Sequence, residues 1–160
     1  MGADLYNYRI LRPIRVKYGP LFDKAAEQRN KANERGDKEK ADKKQKLVDK
    51  YYDFMYTDEG YFRDSYNYSN LLWALGFDWW DWFAKNFMTK RTCCMKPDKA
   101  EKLRKIIAET PLKKGFAAQC ARKAKESTKI WTDYFEDRRE CFLKFLDVAI
   151  ENGDTIECSI

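Results

Sequence analysis

The stretch from Leu71 to Met88, LLWALGFDWWDWFAKNFM, holds four of the five tryptophans in a chain of 160 residues. Burying rings of this size is the largest apolar gain open to the chain, and no other window offers a comparable surface. The flanking segments are therefore expected to pack on this stretch. Gly76 divides it into two helical patterns, with Tyr68, Leu71, Leu72 and Leu75 recurring before it and Trp79, Trp80, Phe83 and Phe87 after it. Asp78 is placed to cap the second helix, and Asp81 sits well against its N-terminal dipole. Trp82 falls on a second side. A helix aromatic on two sides has to be covered twice, once by the core and once by another segment, a partner chain, a ligand or a membrane surface. Trp79, Trp80 and Trp82 are accordingly candidate partner-binding residues.

From Gly19-Pro20 a helix is expected, because proline is favoured at the first helical position. Between Asp23 and Lys46 no apolar residue exceeds alanine, yet nearly every residue is a good helix former. Gly36 reads as a helix stop and Asp37 as the next N-cap. About that turn the sequence mirrors itself: Phe22 opposite Tyr51, Ala25 opposite Val48, Ala26 opposite Leu47, Ala32 opposite Ala41. This is the pattern of an antiparallel helical hairpin over residues 20–56, whose tip would project roughly 15 Å at 1.5 Å of rise per residue. Read functionally, it is a finger that enters a groove in a partner, with Arg29, Lys31, Arg35, Lys38, Lys40, Lys43 and Lys44 as its contact residues. Read as structure alone, it is a solvated charged face laced by i to i+4 pairs.

Around these parts the spacing predicts simpler elements. Tyr6 to Tyr18, interrupted by Pro13, reads as a short helix or an extended arm. Thr57 to Gly60 is a capped turn leading through Tyr61, Phe62, Tyr66 and Tyr68 into the hub of residues 57–89. Lys90 to Lys96 is a loop. One helix starts at Pro97-Asp98 and buries Leu103, Ile106 and Ile107; a second takes Thr110 as N-cap and Pro111 as its first residue. A bend is expected at Ser127-Thr128, followed by a helix to Glu151 carrying Trp131, Phe135, Phe142, Phe145 and Ala149 on one stripe. Thr155 to Ile160 alternates weakly, as a short edge strand or a disordered tail would. The fold class is thus all-α: a single-domain irregular helical bundle spanning residues 1–160, with C-terminal helices over 97–152 and the projecting charged hairpin.

The net charge of +6 hides an asymmetry. Counted by segment, residues 90–129 carry +9 and residues 130–160 carry −5. Lys99, Lys102, Lys105, Lys113, Lys114, Arg122, Lys123 and Lys125 form a candidate nucleic-acid-binding face, able to neutralise phosphates without reading bases. Arginine, the preferred base reader, is scarce beside lysine here. The competing account is a lysine surface that balances the acidic C-terminal helix.

Catalytic signatures are sparse. The chain has no histidine, which removes the commonest general base, the usual serine and cysteine triads and most catalytic zinc sites. No phosphate-binding glycine loop is present. The five cysteines form no Cys-x-x-Cys pair; they point to a reducing, cytoplasmic setting, with Cys93-Cys94 an incidental pair or else a redox or soft-metal one. No cofactor or metal is expected. The leading expectation is a non-enzymatic interaction protein that regulates or inhibits a larger nucleic-acid-handling complex. Direct sequence-independent DNA or RNA binding through residues 90–129 is the alternative, and association of the tryptophans with a membrane surface the weakest reading.

Overall fold

The computed structural model describes residues 2–89 and 92–160. Among them the chain is predominantly helical, as the spacing predicts, with a small four-stranded sheet that the periodicity did not announce. In chain order the elements are β1 (Gly2–Tyr6), α1 (Tyr8–Glu34), α2 (Lys38–Met55), β2 (Tyr61–Ser65), α3 (Leu71–Ala74), a π-helical turn (Trp79–Phe83), α4 (Ala84–Phe87), β3 (Cys94–Met95), α5 (Pro97–Glu109), α6 (Phe116–Ala124), α7 (Thr128–Glu151) and β4 (Ile156–Ser159).

The strands run antiparallel in the order β2-β1-β4-β3. Alternation decides which side faces in: Ala3 and Leu5 of β1, Phe62 of β2, and Ile156 and Cys158 of β4 are all buried. The C-terminal segment, expected as an edge strand or a free tail, is an interior strand with β1 on one side and β3 on the other. Both of its edges are satisfied, which fixes a segment too short to hold itself. The first two residues of the expected Lys90 to Lys96 loop lie outside the described residues, and Cys94–Met95 of that loop forms the short outer strand.

The projecting hairpin is present, but its first arm begins at Tyr8 and passes through both Pro13 and Pro20. Each proline removes one ladder bond. Packing beside Pro20 offsets that loss, with the Tyr18 ring 6.3 Å from Tyr51 and 4.9 Å from Phe54. The mirrored register is realised: Ala25 with Val48, and Ala32 with Ala41, are buried where the arms meet, and Arg29 Nη1 donates to Gln45 Oε1 at 2.9 Å. Gly36 takes the left-handed conformation at φ +70° and the Asp37 side chain accepts from the Lys40 N–H, so the turn is built as the sequence implies. The extensive contacts of each arm are with the other arm. At the base, the Gly60 carbonyl accepts from Asn7 N–H at 2.8 Å, and a Cβ on Gly60 would stand 2.5 Å from Leu11 Cδ2. Glycine there allows the turn to close on α1.

In the hub, Asn70 caps α3 and Gly76, at φ +89°, ends it. The Asp78 carboxylate accepts from Trp80 N–H and Asp81 N–H, as expected of an N-cap. The helix that follows is wound wide, with Phe83 N–H bonding to Asp78 C=O and Ala84 N–H to Trp79 C=O. On this turn and on α4, Trp79, Phe83 and Phe87 enter the core while Trp80 faces outward. Asp64 of β2 ties the hub to the sheet. Its carboxylate, almost fully buried, accepts from Ser65 N–H (2.9 Å), Leu71 N–H (3.0 Å) and Trp79 Nε1 (3.2 Å).

On the C-terminal side, α5 buries Leu103 and Ile107 against α7, with Ile106 half-buried. Thr110 does not open the next helix. It closes α5, and α6 starts only after Gly115, at φ +77°. The intervening segment is held extended because Lys113 N–H donates to the Ala74 carbonyl at 2.7 Å while Leu112 packs on the core. The bend at Ser127-Thr128 is real: Lys125 ends α6 at φ +60° and Ser127 Oγ accepts from Ile130 N–H at 3.3 Å. Ser127→Ala should therefore lower unfolding stability by about 1 kcal/mol, measured as a lower urea midpoint with an unchanged slope.

Candidate interaction surfaces

At the end of the hairpin, Lys31, Ala32 and Arg35 of the first arm and its turn face Asp37, Lys40 and Lys44 across a hollow of about 280 Å³. The buried Ala32 is among its lining residues, and its rim is cationic. Lys31 pairs with Glu27 at 2.5 Å along its own helix. Among the described residues Arg35, Lys40 and Lys44 have no carboxylate within ion-pair distance. Asp37 is the one carboxylate on the rim, and its oxygen is committed to capping α2. Of the other expected contact residues, Lys38 is exposed beside the turn, Lys43 pairs with Glu39 at 2.7 Å, and Arg29 is fastened to Gln45 and Asn30. The structure thus gathers four of the seven expected cations, Lys31, Arg35, Lys40 and Lys44, into one cradle. Like charges held this close raise the local positive potential, which an acidic surface relieves.

The tryptophans divide differently from the expectation. Trp79 is 1% exposed and is a core residue, out of reach of any partner in the folded chain. Trp82 is half-buried, stacked on Phe77 at 3.9 Å and edge-on to Phe87 at 5.0 Å, so the second side of the helix is covered largely from within the chain. Trp80 alone of the three is open, 57% exposed, and it leans on Tyr66 at 5.1 Å. A residue that the sequence reasoning passed over joins it: Trp73 of α3, 45% exposed. With Leu71, Leu72 and Leu75 turned inward, position 73 is left facing out, a signal present in the helical spacing itself. Trp73, Trp80, Tyr66 and Lys113 line a cleft of about 540 Å³ that Asp78 and Asp81 also border.

The basic block does not form one row. α5 and α6 each pack on α7, and no extensive contact joins them. Lys102 and Lys105 are exposed on α5, while Lys99 is half-buried with its ammonium on the Asn86 carbonyl at 2.8 Å. Lys113 and Lys114 sit in the extended connector, Arg122, Lys123 and Lys125 at the end of α6, and the Lys123 ammonium lies 3.9 Å from the centre of the Tyr68 ring. Arg104 of the basic helix α5 is bidentate to Asp147 of α7 at 2.7 and 3.2 Å. Among the described residues none of the eight candidate cations takes part in an ion pair.

Cys93 is exposed in a left-handed conformation and its carbonyl accepts from Cys158 N–H, whereas burial pushes the thiols of Cys120 and Cys158 up. Among the described residues no group of three or more acidic or thiol side chains is placed to hold a metal ion, and no helix is long and apolar enough to cross a membrane. No protein-family model, curated protein or solved structure matches the chain.

Proposed function

We propose that the protein is a non-enzymatic interaction protein whose hairpin tip docks on an acidic surface of a larger, nucleic-acid-handling partner and thereby regulates or inhibits it. The observation that carries this reading is the cradle of Lys31, Arg35, Lys40 and Lys44 at the end of two arms whose extensive contacts are only with each other. A pair of alanine-seamed helices is a narrow probe, and its reach is set by helix rise rather than by the body. Enzymes that act on phosphodiesters cluster carboxylates to hold divalent cations. A finger bearing four cations is complementary to such a cluster and would occupy it in place of metal and substrate phosphate. Complementarity of this kind acts through faster association and strong salt dependence.

The test is affinity purification from the host with the intact chain and with the fourfold reversal Lys31→Glu, Arg35→Glu, Lys40→Glu and Lys44→Glu. Lys31, Arg35 and Lys40 are exposed and Lys44 is half-buried, and of the four only Lys31 pairs with a carboxylate among the described residues, that of Glu27, so the circular dichroism spectrum should be unchanged. Capture of the partner should fall at least a hundredfold with the reversed chain, and the partner's activity on nucleic acid should recover. Equal capture by both chains would end the proposal.

A further inference from the structure

We propose that the cleft between Trp73 and Trp80 stacks the unpaired bases of a single-stranded nucleic acid, whose phosphates run along Lys113, Lys114 and Lys123. The site is separate from the hairpin tip and does not depend on that surface binding a partner. Two tryptophans with about half their surface in water are costly to leave uncovered, and here both border one cleft beside an unpaired lysine. Indole faces are the strongest stacking platforms a protein has, and every base presents a π-face to them. Tyr66, which also lines the cleft, leans on Trp80 and steadies that ring.

The charges around the cleft are sided. Asp78 is spent on capping the π-helical turn, and Asp81 is met by Lys85 at 2.6 Å on the far side of the same turn. On the opposite wall Lys113 is pinned by its own backbone bond to Ala74, the residue that follows Trp73. Lys113 thus lines the same cleft as Trp73, and Lys114 follows it in the chain. Phe116, which also lines the cleft, opens α6, and two turns along that helix Lys123 sits over Tyr68. A strand over Trp80 and Trp73 therefore meets Lys113 in the cleft and Lys114 and Lys123 beyond it toward α6, while the two carboxylates, one capping and one paired, lie at the π-helical turn. A proline-rich peptide would also suit exposed tryptophans, but it gains nothing from the uncompensated lysines.

The probes are short fluorescein-labelled oligothymidylate and oligouridylate, which distinguish DNA from RNA as the source of the strand, and an abasic deoxyribose-phosphate oligomer of equal length. One or both base-bearing strands should bind and quench tryptophan emission. Trp73→Ala and Trp80→Ala should each weaken binding about tenfold, with the phenylalanine replacements intermediate and the fold intact by circular dichroism. The abasic oligomer should bind the intact chain no better than the base-bearing strands bind the double alanine variant. Lys113→Ala should reduce the salt slope by about 0.7. A chain with a shortened hairpin should bind the strands unchanged while losing its protein partner, so the two proposals fail separately. No binding of either strand, equal binding of the abasic oligomer, affinity indifferent to both tryptophans, or quenching by a proline-rich peptide in place of the oligonucleotides would overturn the inference.

Discussion

Asp64→Ala is expected to cost about 3–5 kcal/mol of unfolding free energy, because it strands three donors at once and each buried unpaired donor costs about 1–3 kcal/mol. Ser65 N–H, Leu71 N–H and Trp79 Nε1 all point at this one carboxylate. They belong to the end of β2, the start of α3 and the π-helical turn, so no single element can move to recover the lost bonds. Asp64→Asn should cost less, since its amide oxygen can keep the Leu71 and Trp79 bonds while its NH₂ opposes only Ser65. Urea unfolding followed by tryptophan emission measures both, and a loss below about 1 kcal/mol for the alanine variant would show that the tie contributes no more than an ordinary exposed hydrogen bond.

The same group gives a pH signature. Burial pushes the Asp64 carboxyl up, against the pull of its N–H donors and of Arg138. A carboxyl whose pKa is raised on folding holds its proton more tightly folded than unfolded. Its contribution is complete below the unfolded value of about 3.9 and is lost as the pH rises through the folded value. Asparagine does not titrate, so the stability gap between wild type and Asp64→Asn should narrow as the pH is raised through the mildly acidic range. A gap that widens would mean that the donors outweigh the burial.

What the sequence disclosed and what it concealed divide along one physical line. The hairpin register was legible because facing residues such as Ala32 and Ala41 are equidistant from the Gly36-Asp37 turn, and short side chains there leave few other ways to pack. The caps at Asp37, Asp78 and Ser127 were legible because a cap is a bond to a neighbour two or three residues away. Of the strands only the last left a trace, as the weak alternation of Thr155 to Ile160, because none exceeds five residues and each buries only one or two apolar side chains. Thr110-Pro111 misled for a related reason: the local signal for a helix start is sound, yet the Lys113 N–H finds its acceptor on Ala74, far away in the chain. Gly19-Pro20 misled because the helix was already under way and its packing partner lay on the other arm. Of the candidate surfaces, the cations of the finger were visible as residues, while the hollow that four of them share depends on how the arms cross. Trp73 was visible in principle as the outward position among three inward leucines.

Phe142→Ala should cost about 4–5 kcal/mol, the upper part of the range for deleting a buried aromatic ring, and Phe135→Ala nearer the lower end at about 3 kcal/mol. Both rings are fully buried on α7. They differ in what surrounds them. Phe142 stacks on Phe62 of β2 at 4.2 Å and lies 6.1 Å from Trp79, so its ring joins the last long helix to the sheet and to the hub. Sheet and capped turn are each fixed by bonds of their own, and a cavity between them cannot close. Phe135 belongs to a smaller cluster with Ala74, Phe116 and Cys120, bordered by the partly open Trp131 and Tyr134, which have room to settle inward. A double-mutant cycle between Phe62 and Phe142 isolates the stacked pair, with a coupling of about 0.5–1.5 kcal/mol beyond area burial. Arg138 lies over the other part of this contact, 4.7 Å from the centre of the Phe62 ring. The one charged residue that breaks the apolar stripe of α7 therefore covers the ring that its neighbour on the stripe packs against. Equal losses at positions 135 and 142 would show that the two clusters yield alike, and that the hub does not brace this helix.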